Sequence, residues 1–212
     1  MKKLVVTIVF FLSVISIFAQ DTAKAKSLLD EVSANIKSYD TLYIEFSNSL
    51  VNTEEDVSQV TKGNASLKGD LYVVNLLGVT TVFDGKKVYS INPEDEEVNI
   101  SDPDEDVFTP AQFFSFYEEG YNFELDKEVT HNGRKIQYVK LLPIDSDSDF
   151  KYVLLGIDTK TKHIQNIIQK GKNGTDITLT ITSFKTNLEL SKKLFEFNKS
   201  KYEEKGFIIN QL

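Results

Sequence analysis

The sequence predicts a mainly β protein, with about 10–11 antiparallel strands curled into a barrel or half-barrel and two helices. Residues 71–93 contain two strand-like runs that meet at Asp84-Gly85, the strongest short hairpin signal because both turn positions favour positive φ. From Tyr121 onward, turn residues recur at intervals of roughly ten to twelve positions. They fall at His131-Asn132-Gly133 and at 145–149, 158–162 and 172–175. So many antiparallel strands curl or close rather than remain an open flat sheet.

The chain opens with Lys2 and Lys3, an apolar run from Leu4 to Phe18, and then Ala19-Gln20. That order is a secretory signal, and residues 1–19 are expected to be removed. A run of about 15 residues is shorter than the ~20 that span a bilayer. Residues 20–212 are expected to form a single domain. The chain contains no cysteine, which excludes disulfides, thiolate metal sites, a cysteine nucleophile and a lipid-modified N-terminal cysteine. A soluble, monomeric periplasmic protein without a membrane anchor is expected.

Ala25, Leu28, Leu29, Val32, Ile36 and Tyr39 recur at helical spacing, with Lys26, Asp30, Glu31 and Lys37 off the stripe. This predicts an amphipathic helix over about 22–38 that packs on a sheet. Next, Leu42, Ile44 and Phe46 alternate with Tyr43, Glu45 and Ser47 up to a charged turn at 52–56, the period of a strand. A more polar return strand over 57–68 turns at Lys68-Gly69-Asp70. In the central meander Tyr72, Val74 and Leu76 share one face, and Leu71, Val73 and Leu77 the other. An antiparallel strand apolar on both faces needs cover on both. Core, helix or ligand can supply it.

Asn92-Pro93 ends the meander. The acidic stretch 94–106 reads as a solvated loop, since its spacing lacks the glycine and terminal glutamate of an EF-hand calcium loop. Thr109-Pro110-Ala111-Gln112 matches a capping box with proline at the first helical position, predicting a second helix that Gly120 ends. Phe113, Phe114, Phe116 and Tyr117 give that helix more aromatics than one face holds. Ile177, Leu179 and Ile181 alternate with Thr178, Thr180 and Thr182, so this strand has one buried and one wet face. The short runs 194–197 and 207–209 are expected to close the sheet.

A net charge of −8 disfavours nucleic acid and anionic lipid surfaces as partners. His131 and His163 stand in or beside turns, without an acid or hydroxyl partner at motif spacing. No metal-ligand set, activated nucleophile or glycine-rich phosphate cradle appears. The residues argue for binding without cofactor or metal, and not for an enzyme.

Taken in order, these motifs resemble the outer-membrane lipoprotein carrier protein (LolA) family. The resemblance rests on the first helix, the Phe46-containing strand, the meander with Asp84-Gly85-Lys86-Lys87-Val88-Tyr89 and Asn92-Pro93, and Thr109-Pro110 opening an aromatic segment. It spans about 21–209, and the acidic, lysine-rich, arginine-poor style resembles the Bacteroidetes branch. The resemblance implies an unclosed antiparallel β-barrel, or half-barrel, with helices covering its mouth. It also implies a periplasmic carrier of lipoprotein acyl chains, loaded by an inner-membrane ABC-type releasing complex and unloaded onto an outer-membrane acceptor. Phe46, Tyr72, Val74 and Leu76 would then line the acyl cavity, with Phe113, Phe114, Phe116 and Tyr117 as its lid. Proteobacterial members carry a lid-locking arginine in the turn before the meander; here that turn is Lys68-Gly69-Asp70, and the only arginine is Arg134. The alternative from another class is a periplasmic sensor or interaction module of the same fold that detects lipoproteins or lipids.

Overall fold

The computed structural model describes residues 21–104 and 109–212. The expected signal at 1–19 lies outside the described residues, as do Glu105 and Asp106 of the acidic loop. The chain forms two compact units, one containing the residues up to 37 with 117–174, the other 38–116 with 175–212.

In the first unit, helix α1 covers 21–37. Its predicted stripe is buried at Ala25, Leu28, Leu29 and Val32, while Lys26, Asp30, Glu31 and Lys37 are exposed. Four antiparallel strands follow from the second segment: β7 (Tyr121–His131), β8 (Arg134–Pro143), β9 (Phe150–Asp158) and β10 (Ile164–Gly171). Val139, Leu141, Val153, Leu155 and Ile157 alternate along β8 and β9 and are fully buried. On the opposite face Ile136, Tyr138 and Leu154 form a smaller cluster with Val129, Tyr152 and Ile168. Helix α1 is tied to this unit where Asn35 donates to the Thr161 carbonyl at 3.2 Å and Glu31 pairs with Lys162 at 2.9 Å.

The second unit holds β1 (Thr41–Asn52), β2 (Val57–Lys68), β3 (Leu71–Leu76), β4 (Val79–Phe83), β5 (Val88–Asn92), β6 (Glu97–Ser101), β11 (Thr175–Thr186) and β12 (Ile208–Gln211). Their hydrogen-bonded order is β12-β6-β5-β4-β3-β2-β1-β11. Within it only β12 on β6 is parallel. Val73, Val82, Ile91 and Val98 project from successive strands onto Phe195, with Leu190, Phe197, Tyr202 and Phe207 packed round them. Tyr89 stacks on Phe197 at 4.4 Å and Phe197 on Tyr202 at 5.3 Å. One face of β3 is thus covered by solid core from the C-terminal segment.

The fold is mainly β and its strand order is unclosed: among the described residues β12 pairs only with β6 and β7 only with β8. Twelve strands appear among the described residues, against the 10–11 expected. One reason is that the run from Leu71 is broken at Leu77-Gly78, where φ is 53° and 81°. Positive φ at both positions is the tight hairpin geometry. The Asp84-Gly85 hairpin forms by another route: Asp84 Oδ1 accepts the N–H groups of Lys86 and Lys87, each at 2.9 Å. Residues 192–195 make a 3-10 turn instead of a strand. Helix α2 (Lys199–Glu203), whose cap Asn198 accepts the Lys201 N–H, comes between that turn and β12.

Phe195 is 1% exposed and sits where the C-terminal segment meets four strands. Phe195→Ala is expected to lower unfolding stability by about 3–5 kcal/mol in urea titration. A loss below about 1 kcal/mol would mean that the segment is not part of the cooperative core.

Candidate functional site

Strand register builds the floor of a cavity on the other face of β3. Ile44 faces Ala65, Ala65 faces Val74, and Val74 faces Thr81, one row across four strands. The row on one side is Leu42, Leu67, Tyr72 and Phe83; the row on the other is Phe46, Gly63, Leu76 and Val79. Large residues stand at the ends of the central hollow, and Ala65 lies between them. The consequence is a cavity of about 300 Å³ lined by Ile44, Phe46, Ala65, Tyr72, Val74, Thr81 and Leu179, and covered by Thr109, Pro110 and Phe113.

Among the described residues no carboxylate, amine or imidazole lines this space. The titratable group among its described lining residues is Tyr72, whose phenol is pushed up by burial and whose ring lies 5.4 Å from that of Phe83. Such a lining suits an apolar ligand held by burial alone. Gly63 is required at its position: a Cβ there would come within 2.6 Å of the Phe46 ring and 2.7 Å of the Asn75 carbonyl oxygen. The Phe46 ring therefore lies directly over the Gly63 backbone.

The covering segment begins with the predicted capping box. Thr109 N–H donates to Gln112 Oε1 at 2.7 Å, and Gln112 N–H donates to Thr109 Oγ1 at 3.3 Å. The chain then makes two 3-10 turns, Gln112–Phe114 and Phe116–Glu118, in place of the expected helix. The aromatic crowding explains the difference, because a regular helix would leave some of these rings in water. Phe114 is buried, edge-on to Phe113 at 5.1 Å and to Phe184 at 6.1 Å. Phe184 in turn meets Tyr39 at 6.3 Å. This aromatic chain pins the cover from below.

Of the residues expected at the site, the structure brings Phe46, Tyr72, Val74 and Phe113 round one cavity. Leu76 lies one row along, in a neighbouring pocket of about 530 Å³ that shares Phe46 and has Lys62, Asn64 and Asn75 in its wall. Phe114 is a core anchor, and Phe116 is half-buried without lining the cavity. Tyr117 is buried in the first unit, where it lines a separate pocket of about 480 Å³ with Leu29, Ser33 and Phe123. There burial, then the charges of Glu118 and Asp30, push its phenol up. The Ser33 hydroxyl donates to Glu118 at 2.6 Å and holds that carboxyl below its usual range.

Ile44, Ala65, Thr81, Thr109, Pro110 and Leu179 also line the cavity, beyond the site residues expected from the sequence. Ile44 was findable, since it alternates with Phe46. Ala65 and Thr81 were not, because small or polar residues carry no signal until register places them. His163 is half-buried, not a bare turn residue: burial lowers its pKa against the pull of Asp158, with Arg134 adding to the lowering. Among the described residues no three His, Cys, Asp or Glu side chains gather closely enough to hold a metal ion. No described helix is long and apolar enough to cross a membrane.

Residues 37–198 match the family described as outer membrane lipoprotein carrier protein LolA. No curated protein matches the chain. Among solved structures, an uncharacterized conserved protein from Thermus thermophilus is similar with a TM-score of 0.57 at 14% identity, covering 89% of this chain and 99% of that one. LprF from Mycobacterium bovis gives 0.51 at 9% identity, covering 80% and 96%. A putative outer membrane lipoprotein-sorting protein domain from Vibrio parahaemolyticus gives 0.45 at 11%, covering 86% and 99%.

The close seat of Phe46 on Gly63 has a measurable consequence. Gly63→Ala is expected to cost about 1–3 kcal/mol in urea unfolding, since the clash includes backbone that cannot swing aside. Unchanged stability would mean that the ring does not rest there.

Proposed function

Since this chain belongs to the outer membrane lipoprotein carrier protein LolA family, we propose that it is a periplasmic carrier that holds lipoprotein acyl chains in the cavity beneath Phe113. It binds without covalent chemistry. It takes its cargo from an inner-membrane ABC-type releasing complex and delivers it to an outer-membrane acceptor. The observation that carries this reading is the cavity on the Tyr72 face of β3, whose described lining residues carry no charge, with Pro110 and Phe113 over it.

Exposed methylenes make lipoproteins insoluble, so a shuttle must replace water around them with apolar surface. If a methylene fills about the ~30 Å³ of a liquid water molecule, a cavity of about 300 Å³ holds on the order of ten. At about 0.8 kcal/mol each, that burial favours binding by up to roughly 8 kcal/mol before ordering costs. Longer chains need the cover lifted, and the 3-10 segment is suited to this because its few turn hydrogen bonds are local.

The turn Lys68-Gly69-Asp70 is exposed. In this reading the closed cover rests on aromatic packing through Phe114 and Phe184, and the capping box keeps Thr109 and Pro110 at the rim.

Val74→Glu places a carboxylate on the cavity floor without a partner. Its desolvation is expected to weaken binding of a fluorescent palmitate analogue at least about tenfold while the far-ultraviolet circular dichroism stays unchanged. Equal affinity in the variant would remove the cavity from the mechanism.

A further inference from the structure

Among the described residues, strand edges at β12, at β7 and along the first half of β2 have no pairing neighbour. Open edges invite added strands, and proteins ordinarily blunt them. β12 is only four residues long. β7 carries a register shift between Leu125 and Glu128 and is studded with Glu124, Asp126, Lys127 and Glu128. The β2 edge is different. β2 pairs with β1 along its whole length, but with β3 only from Gly63 to Lys68, because β3 and β4 turn back at Leu77-Gly78. Residues 57–62, Val-Ser-Gln-Val-Thr-Lys, therefore offer one side of their backbone to solvent. They contain no proline and no bulge, and only one charge. Val57, Val60 and Thr61 favour extended backbone, and Val60 is 60% exposed.

This edge is continuous with the cavity. Its last residue, Lys62, precedes Gly63, on which the Phe46 ring lies. Phe46 lines both the acyl cavity and the pocket of about 530 Å³ at the foot of the edge. That pocket is walled by Lys62, Asn64, Asn75 and the Leu77-Gly78 turn, where Leu77 is 69% exposed in a left-handed conformation. A chain leaving the cavity past Phe46 thus meets a pocket with hydrogen-bonding side chains and then an open strand edge.

We propose that residues 57–62 of β2 bind, by strand addition, the extended peptide that directly follows the acylated residue of the cargo. The inference rests on the carrier reading and adds to it a second point of contact that is blind to peptide sequence. Backbone pairing suits a carrier of many cargoes, since every non-proline residue offers one donor and one acceptor. The acidic turn Glu54-Glu55-Asp56 at the far end of the edge favours peptides that are neutral or basic there.

Amide hydrogen exchange by NMR on the full chain, with two probes, tests this. The first is palmitate; the second is a dipalmitoylglyceryl-cysteinyl decapeptide of serine, threonine and asparagine. Palmitate is expected to shift only resonances around the cavity. The lipopeptide is expected to do the same and also to slow exchange at least about tenfold at every second amide of 57–62, because alternate N–H groups point outward from a strand. If the lipopeptide gives only the palmitate pattern, strand addition is wrong and the carrier reading stands. If neither probe shifts the cavity resonances, both fall. If those amides become protected by raising the protein concentration alone, the edge takes a second copy of the chain and the proposal is overturned.

Discussion

The register among β1, β2, β3 and β4 is the constraint on which the rest of this molecule depends. Side chains alternate with a period of two, so a slip of one residue would exchange the faces. The row Tyr43, Ser66, Val73 and Val82 would then floor the cavity, and the core beneath Phe195 would lose its contributors. Several local devices fix the register. Asn52 Oδ1 accepts the Glu54 and Glu55 N–H groups at 3.0 and 3.1 Å and shapes the β1–β2 turn. Gly69 supplies positive φ between β2 and β3, and Leu77-Gly78 does so between β3 and β4. Across the strands, Asn75 Nδ2 donates to Asn64 at 2.9 Å and Thr80 Oγ1 to Asn75 at 2.7 Å.

β3 shows how one strand serves two purposes. Val73 faces a filled core closed by the C-terminal aromatics, and Val74, the next residue, faces the cavity under Phe113. The difference between core and cavity is made by neighbours. Phe195 and its companions come from the far end of the chain to fill one side. On the other side Ala65 leaves a hollow that Ile44 and Phe46 border without filling, and Gly63 makes room for the Phe46 ring. The cover over this hollow is held by Phe114, whose ring packs into the aromatic chain through Phe184 to Tyr39.

The β class and the first helix were legible because their signals are periodic, as in the stripe from Ala25 to Val32. The need for cover on both faces of β3 was legible for the same reason. Leu77 misled, since an exposed leucine in a left-handed turn reads as one more strand residue. The capping box at Thr109 was correctly marked, yet the helix it announced became 3-10 turns: a cap sets how a segment begins, while burial of several rings sets how it continues. Helix α2 was missed because five residues carry too little pattern, although Asn198 caps its start and Gly206, at φ 83°, follows its end. At the site, the large residues Phe46, Tyr72, Val74 and Phe113, which the resemblance implied, stand round one cavity. The small ones that make the space were not legible, because Ala65 and Thr81 acquire meaning only through the strands beside them.

The central claim is that this cavity carries lipoproteins away from a membrane. The most direct measurement adds the purified protein to energised spheroplasts of its own bacterium and follows newly made lipoproteins into the supernatant. The account predicts their release as a soluble complex with one carrier per lipoprotein, and little release with Val74→Glu. Retention of all lipoproteins on the membrane by a folded, added carrier would contradict it.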